Sequence, residues 1–251
     1  MRRPGKNLKL TVAYDGSAYH GFQRQANAVT VQQVLEETLS ALFGESIVVA
    51  GAARTDAGVH AYGQVVSLRT SSRVPTDRIP AALRSMLPRD IAVVEAEEME
   101  GNFHARFSAT GKLYSYRILN SPRPDPLRRN YCWQIGRPLN VATMQSVLAQ
   151  LVGEHHFGAF QSAGSSAKHP VRTLYTANCF EQGELLEFQL HGNGFLYHMV
   201  RNIVGTVAEV GTGKISTDDF QRIFVGRDRR NAGATAPGAG LYLLRVFYEK
   251  P

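Results

Sequence analysis

Arg54 and Asp56 stand two residues apart in a run of small neighbours, Gly51-Ala-Ala-Arg-Thr-Asp-Ala-Gly-Val-His60. A carboxylate acts as a nucleophile towards an electrophilic carbon, or as a base, when it is ionised and aimed at its target. A nearby guanidinium favours the ionised form and can itself grip a phosphate with two parallel hydrogen bonds. The small side chains of Gly51, Ala52, Ala53, Ala57 and Gly58 would let another molecule approach the backbone. The simpler alternative is a glycine-rich turn carrying a surface ion pair.

Competing chemistries fail on spacing. His155-His156, His191 and His198 have no zinc-ligand spacing and no HExxH occurs, so no metal site is expected. Gly211-Thr-Gly-Lys214 resembles the end of a phosphate-binding loop, but Ala208 stands where its first glycine belongs and Ile215 where Ser or Thr is required. His191-Gly-Asn-Gly-Phe-Leu-Tyr197 lacks the last glycine of a dinucleotide fingerprint, and no GxSxG marks a serine nucleophile. No nucleotide cofactor is expected. Asp56 survives, and as a lone carboxylate it argues against ordinary glycoside hydrolysis, which needs a second acid beside it.

Composition narrows the partner. A net charge of +7 favours an anionic one, nucleic acid first. Bases and aromatics interleave at Tyr19 to Arg24, Phe103 to Phe107 and Lys112-Leu-Tyr-Ser-Tyr-Arg117, a pattern suited to stacking on unpaired bases while cations hold the backbone. The competing reading is core aromatics alternating with solvated bases, and it is strong for Tyr114 and Tyr116, whose spacing puts both on one face. The charged runs Arg128-Arg129 and Arg227-Asp-Arg-Arg230 read as solvated surface. Cys132 and Cys179 are far apart and predict two unpaired, buried thiols. The basic N-terminus leads into no apolar segment and no apolar run has the length of a membrane span, so a cytoplasmic protein without membrane contact is expected.

The elements that must position Asp56 follow from periodicity. Leu8, Leu10, Val12 and Tyr14 alternate as a half-buried strand that ends at Asp15-Gly16. Val31, Val34, Leu35, Leu39, Leu42 and Phe43 recur at helical intervals, with Thr30 and Gln33 at capping-box spacing and Gly44 as the stop. A short strand over 46–49, a strand over 63–68, a helix over 77–87 begun by Thr76, and a strand over 91–97 complete a first half. After a linker over 99–112 come a strand over 113–119, a Pro-rich excursion over 121–126, and a helix capped by Asn140 and closed by Gly153. A hairpin over 173–190, a long helix over 195–210, a shorter helix begun by Ser216 or Thr217, and a strand over 241–248 follow. Each half reads strand, helix, strand, strand, helix, strand, with one extra helix in the second. The fold class is therefore α+β: two ferredoxin-like (βαββαβ) halves, 1–109 and 110–251, with a joined, mainly antiparallel sheet and a central basic cleft.

The motifs go further than their chemistry. Ala53-Arg-Thr-Asp-Ala-Gly-Val-His60 with Gly63-Gln-Val65 resembles the catalytic loop of the tRNA pseudouridine synthase A family. Tyr14-Asp-Gly16 with Gly21-Phe-Gln-Arg-Gln25, Asn102-Phe-His-Ala-Arg-Phe-Ser108, Phe195-Leu-Tyr-His-Met-Val-Arg-Asn-Ile-Val-Gly205, and Thr235-Ala-Pro237 with Gly240-Leu-Tyr-Leu243 resemble its other motifs, in family order. The resemblance implies a cofactor-free isomerase that converts uridine to pseudouridine at positions 38, 39 and 40 in the anticodon arm of tRNA, working as a homodimer. It implies Asp56 as the catalytic carboxylate, Tyr114 as the tyrosine packed on the target base, and Arg54 and Arg201 as the basic positions near the aspartate. Ala53 stands where many members have Gly, and Gly238-Ala239 replaces a more usual Ala-His. Whether Asp56 would add to C1′, attack C6, or take the C2′ proton is left open. The alternatives are a non-catalytic RNA-binding protein, and a hydrolase of DNA or nucleotides using Asp56.

Overall fold

The computed structural model describes residues 5–164, 167 and 169–249. The chain is mixed α+β with mainly antiparallel strands and forms two compact units. The first ends at Thr110 and takes up the chain again from Leu243; the second is Gly111–Tyr242.

The first unit runs β1 (Lys6–Tyr14), α1 (Val31–Phe43), β2 (Ala50–Gly51), β3 (His60–Thr70), α2 (Ile79–Leu83) and β4 (Ile91–Met99). Both β3 and β4 pair antiparallel with β1, and β2 pairs with β3. Leu8, Leu10 and Val12 are buried as their alternation predicts. In α1 the Thr30 hydroxyl accepts from the Gln33 amide, and Gly44 closes the helix with its N–H on Ser40 O. The capping box is only half formed, because the Gln33 side chain donates along the helix to Glu37 instead.

Two expected elements move. The strand expected over 46–49 has no ladder there; pairing begins at Ala50 opposite Ser67. The amides of Ile47 and Val49 are taken by side chains of α1, Ser40 and Glu36, which replace a partner strand. The helix expected over 77–87 is a 3-10 turn, Thr76–Arg78, followed by only five α-helical residues. Thr76 lies inside that turn and caps nothing, and Pro80 is accommodated near the first turn of α2. The connection over 99–112 is fastened down rather than loose. Asn7 Nδ2 donates to Glu100 O and Phe103 O, Ala105 N donates to Ser67 Oγ, and Tyr248 Oη donates to Ala105 O.

The second unit contains β5 (Gly111–Leu119), β6 (Trp133–Gln134), α3 (Val141–Ala149), β7 (Gly153–His156), β8 (Val171–Gln182), β9 (Leu185–Gly192), α4 (Met199–Gly211) and α5 (Thr217–Gly226). Strands β5, β9, β8 and β7 pair in that order, antiparallel throughout, and β6 adds a short parallel pair to β5. Asn140 and Ser216 cap α3 and α5 as expected. The short β6 and β7 were not expected, and two to four residues carry no readable period. The long helix starts at Met199 rather than 195, because His198 stands in the left-handed region at φ 60 and interrupts the turn before it. The chain closes with β10 (Leu241–Phe247). Cys132 and Cys179 are free and buried. Among the described residues no helix is long and apolar enough to cross a membrane.

Burial has a consequence for stability. It pushes the phenols of Tyr14, Tyr116 and Tyr248 above their ordinary range and the Cys179 thiol up to about 12. The native state therefore keeps protons that the unfolded chain gives up first. The stability these groups contribute is complete below the ordinary thiol value of 9.0 and is lost as the pH rises above it. The melting temperature is expected to hold to about pH 8 and then fall progressively from about pH 9 upwards. Tyrosinate absorbance of the native protein should lag that of the urea-unfolded chain across the same range. A melting temperature that is flat or rising there would contradict this.

Candidate active site

The loop between β2 and β3 carries Arg54 and Asp56, and its course is set residue by residue. Ala52 N donates to Val65 O at 2.8 Å, extending the β2–β3 ladder by one bond. At Ala53 the partner becomes a side chain. Gln64, fully buried, accepts from Ala53 N at 3.1 Å and donates to Ala53 O at 2.8 Å. Thr55, also buried, holds the Tyr14 hydroxyl at 2.6 Å through its Oγ1 and accepts from Phe22 N at 3.0 Å through its carbonyl. Both backbone groups of Ala53, and the side chain and carbonyl of Thr55, are thus fixed on either side of Arg54. A turn closed by Val59 N on Asp56 O at 3.2 Å then returns the chain to β3.

The segment after β1 is the floor of this loop. Gly21 has φ +90, and a Cβ there would meet Thr55 O at 2.6 Å, so only glycine fits both the backbone and the gap. The Phe22 ring takes the space that a side chain on Gly51 would fill: a Cβ at Gly51 would lie 2.3 Å from it. Tyr19 is anchored by its hydroxyl on Asp90 Oδ1 at 2.7 Å, and Gly16 N donates to His60 Nδ1 at 3.2 Å. The first two motifs are therefore one packed object.

This changes the meaning of the small residues. Ala52 and Ala53 are 2% and 5% exposed, and Gly51 is small to admit Phe22. The size of Ala52 and Ala53 serves internal packing, whereas Gly51 both admits Phe22 and lines a cavity. Of the five, Ala57 is the one that is openly exposed. Asp56 itself is half-buried. The surface ion pair of the simpler reading does not form: Arg54 is exposed and has no salt-bridge or hydrogen-bond partner among the described residues. It lines a cavity of about 210 Å³ with Phe22, Gln32, His104, Arg106 and Phe107.

Tyr114 and Arg201 belong to the second unit. Tyr114, on β5, is 8% exposed and meets the Phe195 ring edge-on at 4.9 Å. Its same-face neighbour Tyr116 is fully buried and donates to Pro237 O at 2.8 Å, as core residues at that spacing should. Arg201, on α4, donates through Nε to Ala236 O at 2.7 Å, while Ala236 N returns a bond to Arg201 O at 3.1 Å. The Thr235-Ala-Pro237 motif is thus a clasp between α4 and the Tyr116 hydroxyl. The histidines behave structurally: His155 lies against Phe157 and Phe224, and His198 Nδ1 sits 3.1 Å from Ser162 Oγ. Among the described residues no group of three or more His, Cys, Asp and Glu is placed to hold a metal ion.

The sequence places Tyr14, Thr55 and Gln64 within family-like motifs but gives no sign that they hold the loop. The available signal for Gln64 was a glutamine directly before Val65-Val66 in a strand.

A family model described as tRNA pseudouridine synthase matches residues 10–108 and 147–249. The chain belongs to that family. It is 46% identical to the tRNA pseudouridine synthase A of Thermoanaerobacter sp. (strain X514) over 97% of this chain and 100% of the relative. With the protein of the same name from Halalkalibacterium halodurans it shares 47% identity over 94% of this chain and 90% of the relative. The corresponding figures for the Citrifermentans bemidjiense protein of that name are 44%, 98% and 98%. As a member of the family, the chain is an isomerase that converts uridine to pseudouridine. The matched residues include β1 from Leu10 onwards, the Gly21–Gln25 segment and the Arg54–Asp56 loop.

Proposed function

We propose that this isomerase acts on uridines 38, 39 and 40 of the tRNA anticodon stem-loop, with Asp56 as the catalytic carboxylate. The observation that carries the reading is the fixing of the loop at Ala53 and Thr55 by Gln64 and Tyr14, which holds the backbone leading to Asp56. Preorganisation of this kind is what a group needs if it is to meet a reacting carbon without further ordering cost.

The reaction breaks the C1′–N1 bond, turns the uracil, and joins C1′ to C5. The hydrogen on C5 leaves as a proton and N1 ends with one, so the atoms balance without any cofactor. The target must first leave its stack, at a cost of a few kcal/mol that is smallest in loops and at stem ends. Arg54, exposed and without an ion-pair partner among the described residues, holds the backbone phosphate of the extruded nucleotide; Tyr114 covers its base; Arg201 supplies a further cation for the RNA. Asp56 drives the cleavage, by addition to C1′, attack at C6, or removal of the C2′ proton. The same proposal includes a homodimer in the cytoplasm, and two ferredoxin-like halves, 1–109 with the catalytic loop and 110–251, sharing a joined sheet and a central basic cleft.

The test is release of tritium from tRNA labelled at uracil C5, followed by mapping of pseudouridine in tRNA from cells lacking the protein. The expected result is release by the purified protein and loss of pseudouridine at 38–40 in those cells. Tight RNA binding without any tritium release would favour the non-catalytic RNA-binding reading instead. Free uracil among the products would favour the hydrolase.

A further inference from the structure

The cavity beside Arg54 has chemistry that the isomerisation of a single uridine does not use. Its volume of about 210 Å³ is below the roughly 300–1,000 Å³ of sites that enclose a whole ligand, so it suits one planar group of a larger molecule. Two arginines, Arg54 and Arg106, line it together with Phe22, Gln32, His104 and Phe107, and no Asp or Glu is among its lining residues. Neither guanidinium has an ion-pair partner among the described residues; Arg106 only rests on the Phe107 ring, 5.8 Å from its centroid. Two uncompensated cations over one small cavity call for an anion.

The aromatic wall is presented outwards and held in place. Phe107 is 77% exposed, which is costly for a phenyl ring unless something covers it in use. It lies against the His104 ring, centroids 4.4 Å apart. His104 Nδ1 accepts from Arg106 N at 3.1 Å and Phe107 N at 3.4 Å, which fixes the imidazole and leaves Nε2 as its protonated nitrogen. Gln32 is already committed: its amide donates to Glu36 and Val49 O and accepts from Arg24 N. The wall therefore offers a rigid stacking face, one N–H donor and two cations. That set recognises an unpaired nucleotide by its π-face and phosphate, with little regard to which base it carries.

We infer that this cavity is a subsite for an unpaired nucleotide adjacent to the reacting uridine, its base against Phe107 and His104 and its phosphate on Arg106 and Arg54. The inference rests on the RNA reading of the site. Arg54, two residues from Asp56, grips the phosphate that joins this nucleotide to the target. Holding the neighbour keeps the target from re-stacking on it, so the subsite turns binding energy at a non-reacting base into extrusion of the reacting one.

The experiment measures affinity of a fluorescein-labelled anticodon stem-loop RNA by anisotropy, with Asp56→Asn as the parent so that the RNA stays unreacted. Phe107→Ala in that parent is expected to weaken binding about tenfold, the loss of one stacked base. Arg106→Ala is expected to weaken it several-fold and to reduce the slope of log affinity on log salt by about 0.7–0.9, the loss of one phosphate contact. Arg78→Ala, at a cation that lines no part of the cavity, should stay within twofold. RNAs abasic at each loop position in turn identify the occupant: at one position the parent should lose as much as Phe107→Ala does, and Phe107→Ala should lose nothing more. Binding by Phe107→Ala and Arg106→Ala within twofold of the parent overturns the subsite, as does equal sensitivity to Phe107→Ala with every abasic RNA. Failure of the isomerase reading is seen separately, as absence of tritium release by the unsubstituted protein.

Discussion

Asp56→Asn is expected to lower tritium release from C5-labelled tRNA by at least about a thousandfold, the scale on which removal of an essential nucleophile or base is felt. The amide has the shape of the carboxylate and none of its chemistry: it neither adds to carbon nor takes a proton. The backbone on either side is held by Gln64 and by Tyr14 through Thr55, contacts that do not involve the carboxylate, so the substitution should leave the loop where it is. RNA affinity should be retained or slightly raised, because a negative charge is removed from beside a polyanion. Single-turnover tritium release and anisotropy on the same preparation separate the two effects. Turnover within tenfold of the unsubstituted protein would end the assignment of Asp56, and an equal fall in affinity would show that it had acted in binding.

Much of this was legible in the sequence, and several of the exceptions come from contacts across the chain. The strand ending at Tyr14 and the helix over 31–43 were readable because their buried residues repeat with a period that one face imposes. Asp56 does lie between two strands, but the one before it is Ala50–Gly51, past the β-branched run Ile47-Val48-Val49 from which a strand was expected. What could not be read were contacts made across the chain by single polar groups. Residues 46–49 have strand composition, but Ser40 and Glu36 take the amides of Ile47 and Val49, and no local pattern announces a helix side chain standing in for a strand. The helix over 77–87 is shortened: its apolar spacing is right, yet only five residues keep α geometry after the 3-10 turn. Small residues around Asp56 suggested an open approach, whereas Gly51 is answered by Phe22, nearly thirty positions earlier. Arg54 beside Asp56 suggested an ion pair, whereas the side chain goes to a cavity walled by Phe22 and the segment from His104 to Phe107. Sequence proximity fixes where a charge begins, not where a flexible side chain ends.

Gln64 makes the strongest claim for a residue whose role is purely to position. It sits on β3 opposite Val12, fully buried, and presents its amide to Ala53 as a neighbouring strand would. Gln64→Leu keeps the volume and removes both bonds to Ala53, with the one accepted from Val65 N, which strands the N–H and C=O of Ala53 away from water. At about 1–3 kcal/mol for each of the two unsatisfied groups, the expected loss is roughly 2–6 kcal/mol. For a chain of this size that corresponds to a fall in melting temperature of roughly 5–15 °C. The loop would then lose its hold at Ala53, and a displacement of about 1 Å at a reacting group can cost about a hundredfold in rate. The turnover number of Gln64→Leu, measured well below its melting temperature, is therefore expected to fall by about ten- to a hundredfold, with a much smaller change in KM for tRNA. Leu148→Ala provides the comparison, since a fully buried leucine on α3 should cost about 2–5 kcal/mol without touching the loop. If Gln64→Leu and Leu148→Ala lose stability alike and both keep their turnover number, Gln64 holds the fold but not Asp56. If only Gln64→Leu slows, the amide that completes the strand ladder also aims the carboxylate, and the distance between sheet and chemistry in this isomerase is one side chain.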